Sequence, residues 1–105
     1  MNEQARLIAG LDRVIHEPGR LMIVALLWPL KECDFLYLLS QSGLNKGNLS
    51  SHLAKLEEAG YVTVEKTFRG RMPQTILRLT RAGRAAFADY RTKLGALTLS
   101  TEDES

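Results

Sequence analysis

"GLNKGNLSSHLAKLEEAGYV", residues 43 to 62, is the stretch on which the rest of the chain turns. Leu49, Leu53 and Leu56 recur at helical spacing, so one side of the segment is built for burial. Asn45 stands where an N-cap is wanted and Gly60 where a helix should stop, which predicts a helix over about residues 45 to 59. With the leucines turned inward at about 100° per residue, Gly47, Asn48, Ser51 and Lys55 point away from the core and Ser50 to the side. A major groove admits one helix, and its floor presents donors and acceptors that Asn, Ser and Lys can match. Gly47 would let the backbone approach such a surface closely, although glycine weakens a helix by roughly 1 kcal/mol relative to alanine. The other reading of the arc is a solvated face, in which Asn45 is only a cap and Ser50 bonds its own helix backbone.

The flanking sequence supplies the setting. Residues 3 to 16 carry Leu7, Ile8, Leu11, Val14 and Ile15 as one helical stripe, ended by Pro18 and Gly19. Pro18 suits the first turn of a second helix whose apolar body, Leu21 to Trp28, belongs in the middle of the core and stops at Pro29. Asp34 is a candidate N-cap for a third, short helix that Gly43 closes in a left-handed conformation. Two helices joined by a tight turn through Gly43 result. After Gly60 the period changes. "YVTVEKTF" and "QTILRLT" are β-branched, roughly alternating runs joined by "RGRMP", which reads as a two-stranded hairpin with a basic tip. Thr80 can cap a last helix from Arg81 to about Leu94, and residues 98 to 105 form a short acidic tail expected to be flexible. The fold class is therefore mainly α with a small β-hairpin, an α+β chain with one working domain over residues 1 to 97.

Composition agrees with that class. A chain of 105 residues holds one core, and 45% hydrophobic with 25% charged residues is a globular balance that disfavours disorder. The longest apolar run, residues 21 to 30, is too short to span a bilayer, and the charged N-terminus lacks the apolar stretch of a secretory signal. No membrane association and a cytoplasmic location are the expectations. The single cysteine, Cys33, excludes an internal disulfide and reads as a small buried residue. The net charge of +2 hides an asymmetry, since residues 66 to 91 hold Lys66, Arg69, Arg71, Arg78, Arg81, Arg84 and Arg91 against Asp89 alone. That imbalance is the footprint of a polyanion binder. Nothing in the chain assembles an activated nucleophile, a phosphate-cradling glycine loop or a helix-borne His pair, so no enzyme and no cofactor are expected. His16 and His52 fall on different predicted helices, and His52, at the border of the apolar stripe, receives no role.

In the order of its elements the chain resembles the winged helix-turn-helix transcriptional regulators, and looks closest to the MarR-type and ArsR-like members. The resemblance rests on "DFLYLLSQSGLNKGNLSSHLAKLEEAGYV" for the helix-turn-helix, "EKTFRGRMPQTILRLT" for the wing and "LTRAGRAAF" leading into the final helix. It implies sequence-specific binding of double-stranded DNA by a transcriptional regulator. Asn45, Lys46, Gly47, Asn48, Ser50, Ser51 and Lys55 would lie in the major groove, and a wing over about residues 66 to 75, with Lys66, Arg69, Arg71, Gln74 and Thr75, on the backbone or minor groove. Hairpin cations also serve simply to discourage edge-to-edge pairing, and Arg78 is the weaker phosphate candidate. Relatives of this type pair through their terminal helices, which implies a homodimer on a pseudo-palindromic operator, with Leu7, Leu11, Phe87, Tyr90 and Leu94 at the dimer interface. Packing of the two helices within one chain is the alternative. MarR-type relatives also bind small-molecule effectors, but no motif here names one. ArsR-like relatives hold metals on a cysteine pair, and Lys31 and Phe35 stand where a partner to Cys33 would be, so no metal site is assigned. A winged-helix protein-interaction module, or less favoured a metal-responsive ArsR-like repressor, is the competing function.

Overall fold

A computed structural model describes the backbone of residues 1–103 and the side chains of residues 1–98. Helix α1 (Glu3–Ala9) is capped by the Asn2 side chain, which accepts from the Ala5 amide at 2.8 Å. The sequence stripe predicted one helix to residue 16, and the structure ends it at Ala9 instead. The cause is local: the Asp12 carboxylate accepts the amides of Val14 (2.8 Å) and Ile15 (3.1 Å), a side-chain-to-backbone pattern that competes with helix. The turn that results still delivers Leu11 and Ile15 to the core.

Helix α2 (Pro18–Leu27) starts at Pro18, whose missing amide hydrogen costs nothing there, and Glu17 caps it by accepting the amides of Gly19 and Arg20. The chain leaving it is held from a distance, since the Arg84 guanidinium donates to the carbonyls of the C-cap Trp28 (2.9 Å) and of Leu30 in the following turn (2.8 Å). A two-residue strand β1 (Cys33–Asp34), which the sequence reading did not contain, leads into α3 (Phe35–Ser42), capped by Asp34 and closed by Gly43 at φ 70°. Helix α4 (Lys46–Glu58) is capped by Asn45, whose side-chain oxygen accepts the Asn48 amide at 2.8 Å. Gly60, at φ 81°, turns the chain out of it.

Strands β2 (Val62–Arg69) and β3 (Met72–Leu79) pair antiparallel from Val62↔Leu79 to Arg69↔Met72, leaving a two-residue loop. Positive φ occurs only at its first position, Gly70 at 64°, as in a type II′ hairpin turn. The sheet order is β1-β3-β2, and β1 reaches only Ile76 and Leu77, so the distal half of the hairpin stands without a third strand. The fold is thus mainly α with a small hairpin, as expected, plus one short strand.

Helix α5 (Arg81–Asp103) begins at Thr80, whose hydroxyl accepts the Gly83 amide (2.9 Å) and donates to the Gly60 carbonyl (2.6 Å). It runs well past Leu94, so the expected flexible tail is helical as far as Asp103, and residues 104–105 lie outside the described residues. The core gathers Ile15, Ile23, Val24, Leu27, Leu38, Leu49, Leu56 and Leu77, all essentially inaccessible to solvent. Among the described residues no helix is long and apolar enough to cross a membrane.

The candidate dimer residues divide in this frame. Leu11, Phe87 and Tyr90 are 6%, 7% and 2% exposed, buried within one chain. The turn after α1 folds Leu11 inward, and Phe87 meets Trp28 edge-on and stacks on Tyr90, so all three pack within their own chain. Leu7 is half-buried and Leu94 exposed, and Ile8, which was not among the expected residues, is exposed as well.

Candidate nucleic-acid interface

The register of α4 follows from three buried leucines. Leu49, Leu53 and Leu56 are 0%, 4% and 0% exposed, so the opposite arc is fixed by helical geometry. Asn45, Lys46, Gly47, Asn48, Ser50, Ser51 and Lys55 are all exposed along it. Asn45 caps the helix through the Asn48 amide, and among the described residues no hydrogen bond or ion pair of the other side chains of the arc is seen. At Gly47 an added Cβ would meet nothing nearer than the Asn45 side-chain oxygen at 3.6 Å, so no internal packing requires a glycine.

The hairpin brings a second cationic group beside this arc. Lys66, Arg69 and Arg71 are exposed, and among the described residues neither they nor Lys46 and Lys55 form an ion pair. Unpaired cations on two adjacent elements produce a field that favours a polyanion. Gln74 and Thr75 are half-buried. Gln74 donates its side-chain amide to Asp34 at 3.4 Å, a long bond that ties the hairpin to the α3 cap. Arg78 is engaged with Glu32 at 2.9 Å and with Glu65 at 3.7 Å, which accounts for it as a clasp across the sheet.

His52 belongs to the scaffold. Its ring lies against α2, where a Cβ on Gly19 would come within 2.6 Å of the His52 Cδ2. Nδ1 stands 3.4 Å from the Glu17 carboxylate without hydrogen-bond geometry, and Arg20 lies on the same carboxylate at 3.7 Å. Burial alone pushes the Glu17 carboxyl up, but the amides of Arg20 and Gly19 and the charges of His52 and Arg20 outweigh it and hold it below its usual value. The helix that carries the arc is thereby pinned to the start of α2. Sequence spacing could not show this, because the contact depends on a glycine in another helix.

Two further features were not legible in the sequence. A groove of about 640 Å³ runs between α4 and the hairpin, floored by Phe35, Leu53, Ala54 and Val64. The Tyr61 hydroxyl donates to Asp12, locking the turn after α1 to the end of α4, and this bond, with burial and the Asp12 charge, pushes the Tyr61 hydroxyl up to about 12. Cys33 is half-buried, and burial together with the Asp34 charge pushes its thiol up, against the thiolate a metal would need. Among the described residues no three His, Cys, Asp or Glu side chains gather as a ligand group.

Known proteins place these features in a family. Residues 20–98 match the model of the winged helix DNA-binding domain. An uncharacterized protein, MJ0432, of Methanocaldococcus jannaschii is 42% identical over 79 residues, covering 74% of this chain and 85% of that protein. The solved structure of a transcriptional regulator homologue from Pyrococcus horikoshii superposes with a TM-score of 0.86 at 27% identity, over 95% of this chain and 98% of that one. A MarR-family regulator from Silicibacter pomeroyi shares the fold at TM-score 0.63 and 21% identity, over 96% of this chain and 65% of its own. With the helix-turn-helix, the hairpin and a match over residues 20–98, the chain belongs to the winged helix DNA-binding domain family.

Proposed function

We propose that the protein is a homodimeric, sequence-specific transcriptional regulator that inserts α4 into the major groove of double-stranded DNA and lays its wing on the flanking backbone or minor groove. One observation carries the reading: the polar arc from Lys46 to Lys55 and the cations Lys66, Arg69 and Arg71 are exposed on adjacent elements, and among the described residues no carboxylate forms an ion pair with these cations. Asn48 and Ser51 read base edges, Lys46, Lys55, Lys66 and Arg71 contact phosphates, and Thr75 supplies a hydroxyl donor to the backbone. Gln74 joins them by leaving its long bond to Asp34. The dimer forms through α1 and α5, using Leu7, Ile8 and Leu94, and sets two reading helices about one DNA turn apart on a pseudo-palindromic site.

The test is selection of bound duplexes from a random pool, followed by salt titration on the recovered sequence. A two-fold-symmetric motif is expected. Arg71→Ala should weaken binding to all sequences alike and flatten the salt dependence by about one counterion unit. Asn48→Ala should instead reduce discrimination between the recovered and mutated sites by roughly 1 to 3 kcal/mol. No enrichment of any sequence would refute specific recognition and favour a protein-interaction module.

A further inference from the structure

The wing tip bears more than charge. Phe68 and Met72 are 69% and 70% exposed, at the outer ends of β2 and β3 beside the Gly70–Arg71 loop. In the pairing register Met72 lies across from Arg69, and Phe68 across from Pro73. Cross-strand partners share a face of a ribbon, so Met72 and Arg69 occupy one side of the tip, and Phe68 and Pro73 the other. No element of the described chain covers either side chain, and β1 braces the hairpin only as far as Ile76.

Two large apolar side chains on a projecting tip would ordinarily invite self-association, and the surroundings oppose that. Lys66, Arg69 and Arg71 crowd the same few residues without an ion pair among the described residues, so a second copy of the tip would bring like charges together. The partner that answers both features is negatively charged at its rim and apolar within. A duplex minor groove meets this description once a step is opened, with phosphates along its rims and, between the unstacked pairs, apolar base faces that a wedge can cover. Strands about 4.8 Å apart with their side chains exceed a groove about 6 Å wide, so entry is confined to tip side chains.

We infer that the wing is a wedge: Arg69 and Arg71 seat the tip on the minor-groove phosphates while Phe68 from one face of the ribbon and Met72 from the other press against the base pairs on either side of it, opening a step and bending the duplex. This rests on the DNA-binding reading above and deepens it, since it assigns the wing a role in shape recognition. Steps that unstack easily, TA and CA/TG, are the class of sequence such a wing would prefer. Specificity then arises at positions the reading helix does not touch.

The experiment uses the full chain and a selected duplex of about 30 base pairs with a fluorophore at each end and 2-aminopurine at the flanking steps. Wild type should shorten the end-to-end distance and raise 2-aminopurine fluorescence as it binds. Phe68→Ala with Met72→Ala should abolish both signals and bind roughly tenfold more weakly, with the salt slope unchanged because the cations remain. Phe68→Leu should restore part of the bend. Both side chains are exposed, so the double variant should keep the wild-type melting temperature. Binding by the wild type with neither bend nor fluorescence change would overturn the wedge alone. Loss of sedimentation mass in the double variant with an unchanged bend would overturn it too, in favour of contact between copies. Failure of the wild type to bind any duplex would overturn the DNA-binding reading along with it.

Discussion

Replacing Gly47 by alanine should move stability and DNA affinity in opposite directions. In the free protein the new methyl meets only the Asn45 side-chain oxygen, at the ordinary contact distance of 3.6 Å, and Gly47 has no positive φ. The helix therefore gains up to about 1 kcal/mol from the lower entropy cost of alanine. For a domain of this size that is a rise in melting temperature of about 4–8 °C. Against DNA the same methyl stands where backbone would approach the groove floor. Overpacking a close contact costs typically about 1–3 kcal/mol, which corresponds to binding weakened roughly 5- to 150-fold. Thermal unfolding and fluorescence anisotropy on the selected duplex measure the two effects on one sample. A variant that melts higher and binds as tightly as wild type would show that nothing approaches α4 at this position.

Gly83→Ala should destabilise the fold. Its Cβ would fall far inside contact distance of the Tyr61 carbonyl oxygen and 2.9 Å from the carbonyl carbon, and that backbone is held by the Thr80 amide at 3.0 Å. A loss of about 1–3 kcal/mol outweighs the helix-propensity gain in denaturant unfolding, whereas Gly95→Ala, with no atom within 4 Å, should stabilise. Tyr61 gives an alkaline signature. Its hydroxyl is raised to about 12 in the fold, so the contribution of its bond is complete below pH 10 and lost as pH climbs from there towards 12. The stability gap between wild type and Tyr61→Phe, followed by unfolding at increasing pH, should close across that window, and a gap constant with pH would contradict the assignment. Leu94→Glu, at an exposed apolar position of α5, should convert a dimer to monomer in sedimentation equilibrium with little change in protomer stability, and an unaltered mass would refute the α1–α5 interface.

The elements read from the sequence were those whose signals are local. Gly43 and Gly60 take the left-handed conformations their positions called for, and Asn45 and Asp34 cap the helices they precede. The Leu49–Leu53–Leu56 stripe gave the orientation of α4 directly, because one buried face determines the other. What failed depended on distant or very short features. Periodicity from Leu7 to Ile15 hid the break after Ala9, because Asp12 redirects the backbone without disturbing the apolar spacing. A two-residue strand such as Cys33–Asp34 has too little pattern to announce itself. Phe87 and Tyr90 looked surplus to one core because nothing in the sequence said that Trp28 and His16 would meet them.

The clasp at Thr80 and Gly83 makes the end of α4 and the beginning of α5 one mechanical body. Α5 then works as a lever arm of roughly 34 Å, at 1.5 Å per residue over its 23 residues. Tilting its far end by about 10° would swing α4 by about 6 Å over that length. Half-site spacing in a paired molecule would thus be tuned by the crossing angle of two rods, far from any base.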